Sequence, residues 1–261
     1  MKKIVSFILA LSLLSVCTFA LASCDDSKDD NVLKMATNAA FPPYEYYEGE
    51  KIVGIDAEIA ALIAKELGME LEIVDTEFDS IITGVTEGKY DFGMAGMTVT
   101  EDRLKSVNFS KPYAKGVQVI IVKNDSPITS IDDLSAEGAT YKIGVQQGTT
   151  GDIYASDKPE NGGFGADRVT SFNTGAEAVL ALTTGKVDCV IIDNEPAKSY
   201  ISTYEGLKIL DTKYVDEDYA ICISKDNDEL LKKIDAALAK YTENGEIQKI
   251  IDKYIKPDSA E

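Results

Sequence analysis

Histidine and tryptophan are absent from the 261 residues, and cysteine is scarce at four. Without histidine there is no Ser-His-Asp or Cys-His centre and no imidazole-ligated zinc site. Two cysteines, Cys17 and Cys24, belong to an amino-terminal segment. Cys189 and Cys222 each sit in a short apolar run that reads as a strand, and two buried thiols are expected there rather than a disulfide. Cations are few as well: 26 Lys and Arg stand against 45 Asp and Glu, a net charge of −19. So acidic a chain argues against nucleic acid and against adhesion to anionic membrane. Past the amino terminus no apolar run is long enough to span a bilayer. No residue pattern asks for a metal or another cofactor.

What is present begins with a leader. Lys2-Lys3 precede a mostly apolar run over 4–14, and Leu21-Ala22-Ser23-Cys24 closes it with small residues before a cysteine. Residues 1–23 read as a secretory signal, outside the fold. The ending resembles a bacterial lipobox, with Cys24 as the lipidated first residue of the mature protein and 24–31 as a short charged tether. An extracytoplasmic chain is expected, held by lipid to the outer face of the cell membrane, or periplasmic if the cell has an outer membrane.

Strand and helix patterns then alternate, which is the signature of an α/β protein. Strands are predicted at 32–37, 69–74, 116–122, 142–145, 168–172, 208–210 and 219–223. The clearest helix is 54–68, with Ile59, Leu62, Ile63 and Leu67 on one face and Gly68 at its stop. Others are predicted at 80–87, 131–134, 153–155, 175–184 and 228–241, followed by a last one through Tyr254. Pro42 and Pro43 exclude a helix interior. They leave Phe41, Tyr44, Tyr46 and Tyr47 on a loop as candidates for a ligand wall, although two of the four are expected to cap the core instead.

The stretch from Gly88 to Arg103 is the most informative. A Gly-Lys-Tyr-Asp turn leads into an apolar run over 92–97 that contains Gly93, Ala95 and Gly96. Glycine inside a strand marks a close approach by a backbone or a ligand. Thr100 is placed to cap a helix beginning at Glu101. Arg103 then opposes that helix's dipole. Either it holds an anion against loop N–H groups, or it pairs with Glu101 or Asp102 on the surface. The device recurs: Gly185-Lys186-Val187-Asp188 also follows a helix and precedes an apolar strand, and Asp193 stands where Gly96 stands in the first copy. Two related α/β lobes are predicted. Ligands bind beyond the carboxyl ends of such strands, where Asn38, Phe41, Phe78, Gly96 to Arg103, Gln146 to Thr150 and Asp193 would gather. One cation beside one carboxylate suits a zwitterion, and a free α-amino acid is the commonest small one. That pairing favours the anion-holding role for Arg103.

These residues resemble a known family almost end to end: the extracytoplasmic polar-amino-acid-binding proteins of ABC importers, family 3. Gly54-Ile55-Asp56-Ala57-Glu58-Ile59 is similar to its G-[FYIL]-[DE]-x-[DE]-aliphatic signature, with Ala57 smaller than usual. Ala95-Gly96-Met97-Thr98-Val99-Thr100-Glu101-Asp102-Arg103 resembles its carboxylate-binding segment. Phe109-Ser110-Lys111-Pro112-Tyr113, Gln147-Gly148-Thr149-Thr150-Gly151 and Ile192-Asp193 match further blocks in order.

The resemblance implies a two-lobed type II periplasmic-binding-protein fold joined by two hinge strands. Lobe 1 would combine 32–115 with 220–257, lobe 2 would span 116–219, and 258–261 would be a tail. It implies a binding protein rather than an enzyme, a monomer that takes a free L-amino acid and meets a permease and an ATPase. Arg103 with the N–H groups of Thr98 and Thr150 would hold the α-carboxylate. Asp193, the Gly96 carbonyl and the Thr98 hydroxyl would hold the α-ammonium, and Phe41 and Phe78 would sandwich the side chain. Met97 and Thr149 complete the expected ligand-binding set. Asn38 stands where members with cationic ligands tend to carry an acid, and Gln146 where some carry a lysine. Two amides suggest a neutral or polar ligand such as glutamine or cystine. A dehydratase-like enzyme on the same scaffold, a sensory ectodomain and a surface adhesin are the competing functions.

Overall fold

In the computed structural model, which describes residues 31–211 and 214–256, the first strand is Val32–Thr37. The expected signal segment, Cys24 with its tether through residue 30, and the tail 258–261 lie outside the described residues. Val32–Thr37 runs parallel to Glu70–Asp75 along its whole length, and parallel to Phe92–Gly93 on its other side. Cys222–Ser224 and Val107–Phe109 complete this five-stranded sheet. Period-2 alternation sends the side chains of one strand to opposite faces. Leu33 and Met35 therefore pack with Ile59 and Ile63 of helix Ile55–Leu67 and with Ile234 and Leu238 of helix Asp228–Glu243. Ala36 joins Ile81, Val85 and Met97 in the layer beneath. Helix Ile55–Leu67 stops at Gly68, which takes the left-handed conformation expected of it (φ 70°).

The second sheet has the order Val169–Phe172, Ile143–Gln146, Cys189–Asp193, Ala114–Lys123, Leu207–Ile209. Val215–Tyr219 pairs antiparallel with the first half of Ala114–Lys123, from Tyr219 opposite Ala114 to Val215 opposite Gln118. This strand pair is where the chain passes between the sheets. The predicted single strand over 219–223 is thus two strands: Tyr219 ends one in the second sheet, and Cys222 begins another in the first.

The repeated turn does the same work in both copies. Asp91 accepts from the Lys34 N–H at 2.8 Å, and its own N–H donates back to the Lys34 carbonyl at 2.9 Å. Asp188 makes the same exchange with Lys142, at 2.7 and 2.8 Å. Gly88 and Gly185 both have φ of 73°, a value open to glycine without strain. Each aspartate pins the entrance of its strand to the start of the neighbouring one.

Three further differences from the sequence reading have local causes. The 38–49 segment is not a loop. It holds strands Ala40–Phe41 and Glu45–Glu48, which form a small sheet with Lys51–Val53. Phe41 and Tyr44 are buried and Tyr47 is half exposed, so two of the four aromatics do cap the core. The apolar run over 92–97 pairs only through Phe92–Gly93, because the chain then leaves the sheet and turns at Gly96. Helix Asn194–Thr203 was not predicted; it buries only Pro196, Ala197 and Tyr200, too few apolar positions to show a helical period. Cys189 and Cys222 are free and buried as expected, and burial pushes each thiol up to about 12.

Candidate functional site

Five strands, Val32–Thr37, Glu70–Asp75, Phe92–Gly93, Ile143–Gln146 and Cys189–Asp193, deliver their carboxyl ends to one narrow pocket. From the first sheet's side it is lined by Asn38, Phe41, Phe78, Gly96, Thr98 and Arg103, and from the second's by Gln146, Thr149, Thr150 and Asp193. Ten of the eleven residues singled out in the sequence therefore meet there. Met97 does not: its side chain is fully buried with Ile81 and Val107 in the layer under the first sheet. It lies one residue from both Gly96 and Thr98, and alternation turns it to the opposite side.

Arg103 is positioned by the helix it opens. The Thr100 side chain accepts from the Arg103 N–H and caps helix Glu101–Ser106. The guanidinium is 8% exposed, so a surface pair with Glu101 or Asp102 is excluded; Lys105 takes Asp102 instead. Arg103 donates to the Thr98 carbonyl at 2.6 Å and to the Gly148 carbonyl of the other sheet at 3.0 Å, and it lies 5.3 Å from the Phe78 ring centre. The bare carbonyls it holds carry no formal charge, so the pocket keeps a buried cation able to take a carboxylate. Gly96 is glycine for two reasons. Its φ is +52°, and a Cβ there would sit 2.8 Å from Phe41 Cε1. Phe41 stacks on Tyr44, which meets Tyr219 edge-on.

Asp193, at the last position of its strand, supplies the anion. It accepts from the Tyr219 hydroxyl and, at 2.8 Å, from Gln118 Nε2. Burial, and then the neighbouring Glu217 carboxyl, hold it well above the ordinary aspartate range. A cation placed beside Asp193 would relieve that. The two amides at the far end are joined across the cleft, Gln146 Nε2 donating to Asn38 Oδ1 at 2.9 Å. Asn38 Nδ2 is engaged by the Thr76 carbonyl.

The sequence reading missed Glu45 and Ala95 in the lining, and Gln118, Glu217 and Tyr219 behind Asp193. Glu45 is fully buried, and no N–H or O–H donor reaches either of its carboxyl oxygens. Its neighbour is the Asp56 carboxyl, a second acid. Burial raises Glu45 well above the usual range and Asp56 to about 6, even though Asp56 accepts from the Gly96 N–H and the Tyr113 hydroxyl. Nothing local separates Glu45 from Glu48 or Glu50 on the same hairpin. Glu217 had a signal: in Val215–Tyr219 only Glu217 and Tyr219 are buried, a period-2 pattern hidden inside an acidic run. Among the described residues, no group of three or more Cys, Asp or Glu is arranged to hold a metal ion, and no helix is long and apolar enough to cross a membrane.

Known proteins are similar to this chain in sequence and in fold. The chain is 35% identical over 254 residues to the arginine-binding extracellular protein ArtP of Bacillus subtilis, covering 94% of this chain and 96% of that protein. An ancestral arginine-binding protein bound to arginine superposes with a TM-score of 0.78 at 38% identity, over 86% of this chain and 98% of that one. An ancestral arginine-binding protein bound to glutamine superposes equally well, at 36% identity over 87% and 99%. Both are two-lobed α/β binding proteins, as this chain is. The family model of the bacterial extracellular solute-binding proteins, family 3, matches residues 33–257, and the chain belongs to that family.

Proposed function

We propose that this protein captures a free L-amino acid in the interlobe pocket outside the cell membrane and delivers it to the permease of an ABC importer. The observation that carries the reading is Arg103 and Asp193, one buried cation and one buried carboxyl, brought to the same pocket from different sheets. Arg103 and the N–H groups of Thr98 and Thr150 receive the α-carboxylate. Asp193, the Gly96 carbonyl and the Thr98 hydroxyl receive the α-ammonium, and Phe41 and Phe78 flank the side chain. Lobe 1 comprises 32–115 and 220–257, and lobe 2 comprises 116–219. A ligand touching both has the differential affinity that closure requires. The lipobox at Cys24 supports tethering by lipid, and the protein acts as a monomer.

Asn38 and Gln146 on their own suggest an uncharged polar side chain. Glu45 shifts the reading. It is a buried carboxyl at the pocket wall with no donor of its own, and a guanidinium or ammonium supplies both the donors and the countercharge it lacks. A basic side chain, arginine first, fits this set, in keeping with the arginine-binding relatives. Calorimetric titration of the twenty amino acids and cystine tests it. L-arginine is expected to bind tightest; a preference for glutamine or cystine would return the specificity to the two amides.

A further inference from the structure

Glu217 is a buried carboxyl for which the binding scheme above has no use. It lies on Val215–Tyr219, opposite Gly116 on the paired strand. One amide nitrogen, Gln118 Nε2, is 3.0 Å from Glu217 Oε2 and 2.8 Å from Asp193 Oδ2. Gln118 Nε2 thus bridges the Asp193 and Glu217 carboxyl groups. Both residues are at least nine-tenths buried. No donor reaches the second Glu217 oxygen or the Gln118 carbonyl oxygen.

The titratable surroundings offer little countercharge. Tyr219 donates to Asp193 from the same strand as Glu217. Tyr44 and Glu45 approach from the small sheet, Tyr154 from helix Thr150–Ser156 and Glu195 from helix Asn194–Thr203. Arg103 alone among these is a cation; its charge is felt at Glu217 and, less, at Asp193, while its two bonds run to the Thr98 and Gly148 carbonyls. Burial first, and then the Glu217 carboxyl, make the proton of Asp193 hard to remove.

We propose that Glu217 is a positioning residue for the ligand's α-ammonium group, acting through Asp193: in the empty pocket Asp193, bridged to Glu217 by Gln118, keeps its proton, and the ammonium takes that proton's place, so that capture of an amino acid releases a proton to solvent. This rests on the reading that Asp193 receives the ammonium. The proton leaves to buffer and no covalent bond of the ligand changes. It follows that binding weakens in acid, by up to about tenfold for each pH unit in the window where Asp193 holds its proton when the pocket is empty and loses it when filled. Gln118 and Glu217 both stand on the strand pair joining the sheets, so the exchange takes place at the hinge itself.

Calorimetry of L-arginine and L-glutamine binding to the full chain between pH 5.5 and 8, in buffers of different ionisation enthalpy, counts the protons. The wild-type protein is expected to release protons on binding. Glu217→Gln should lower the count by up to one and flatten the pH dependence of Kd, and Glu217→Asp should restore both. Glu45→Gln should leave this contribution in place, because it touches the side-chain end. Binding with no proton release, or an unchanged count in Glu217→Gln, would overturn the proposal while leaving amino-acid capture intact. If Glu217→Gln does not fold, the wild-type count with L-glutamine decides, because its side chain brings no charge to Glu45. If no amino acid binds at any pH, the functional reading itself has failed.

Discussion

At the scale of single residues, Arg103 decides whether the pocket can exist as described. It is a buried cation whose guanidinium links Thr98 on one side of the pocket to Gly148 on the other. Removing it takes away the charge that pairs with a carboxylate and leaves the pocket with only acidic groups. Arg103→Ala is expected to weaken binding of the best amino acid by at least about 100-fold, the scale of losing one partner of a buried charge pair. Its circular dichroism spectrum should stay native. Micromolar affinity in that variant would remove the carboxylate role. Arg103→Lys should recover little, since a point charge does not reproduce the fork.

At the scale of elements, the two Gly-Lys-x-Asp turns are a matched pair of anchors. Asp91 ties strand Val32–Thr37 to its neighbour, and Asp188 ties Ile143–Gln146 to its own. Each accepts a charge-assisted bond from a backbone N–H, an interaction of about 1.5–3 kcal/mol when the acceptor is ionised, less at the exposed Asp188. Asp91→Ala and Asp188→Ala should each lower the stability in urea. The two losses should add in the double variant, because the turns belong to different sheets. A double variant no worse than either single one would mean that the turns are coupled.

At the scale of the whole molecule, the lobes are joined by bonds that no ligand makes. Gln147 Nε2 donates to Asp79 Oδ2 at 2.7 Å across the cleft, outside the pocket lining, and the Tyr200 hydroxyl donates to the Ala40 carbonyl at 2.7 Å. These contacts favour the closed form. Gln147→Ala should therefore weaken ligand binding several-fold through a faster off-rate, measurable by stopped flow, although Gln147 is not in the pocket lining. An unchanged off-rate would show that this bond does not bear on closure.

The buried acids act on the whole molecule too. Glu45, Asp56 and Asp193 are all raised, Asp56 to about 6. A carboxyl raised in the folded state holds its proton more tightly there than in the unfolded chain. Its contribution to stability is therefore complete below its unfolded value of about 4 and is lost as pH climbs through the raised one. Glu58, Asp133 and Asp157 are lowered, so their contributions are already complete above about pH 4.5 and do not vary across the window. The ligand-free protein should consequently melt at a higher temperature at pH 5 than at pH 8, and Glu45→Gln should flatten the slope. Scanning calorimetry that shows stability rising with pH would contradict this.

Much of this was legible in the chain itself. Period-2 and period-3.6 patterns, the stop at Gly68 and the repeated Gly-Lys-x-Asp turn are local properties, and they determined the α/β class, the two related lobes and most element positions. Arg103 was visible as a misfit against its own helix dipole, and Asp193 by its place in the second copy of the turn. Tertiary structure alone decided the rest. Met97 leaves the pocket because alternation turns it away from Thr98. Glu45 enters it because a hairpin strand folds back under Gly96, a placement no neighbouring residue announces. Glu217 meets Asp193 because the chain crosses between the sheets within two residues of Tyr219. Burial depends on what packs against a residue from far along the chain. A carboxyl that reads as surface charge in an acidic sequence is therefore recognised as a buried acid only when both sheets are in place.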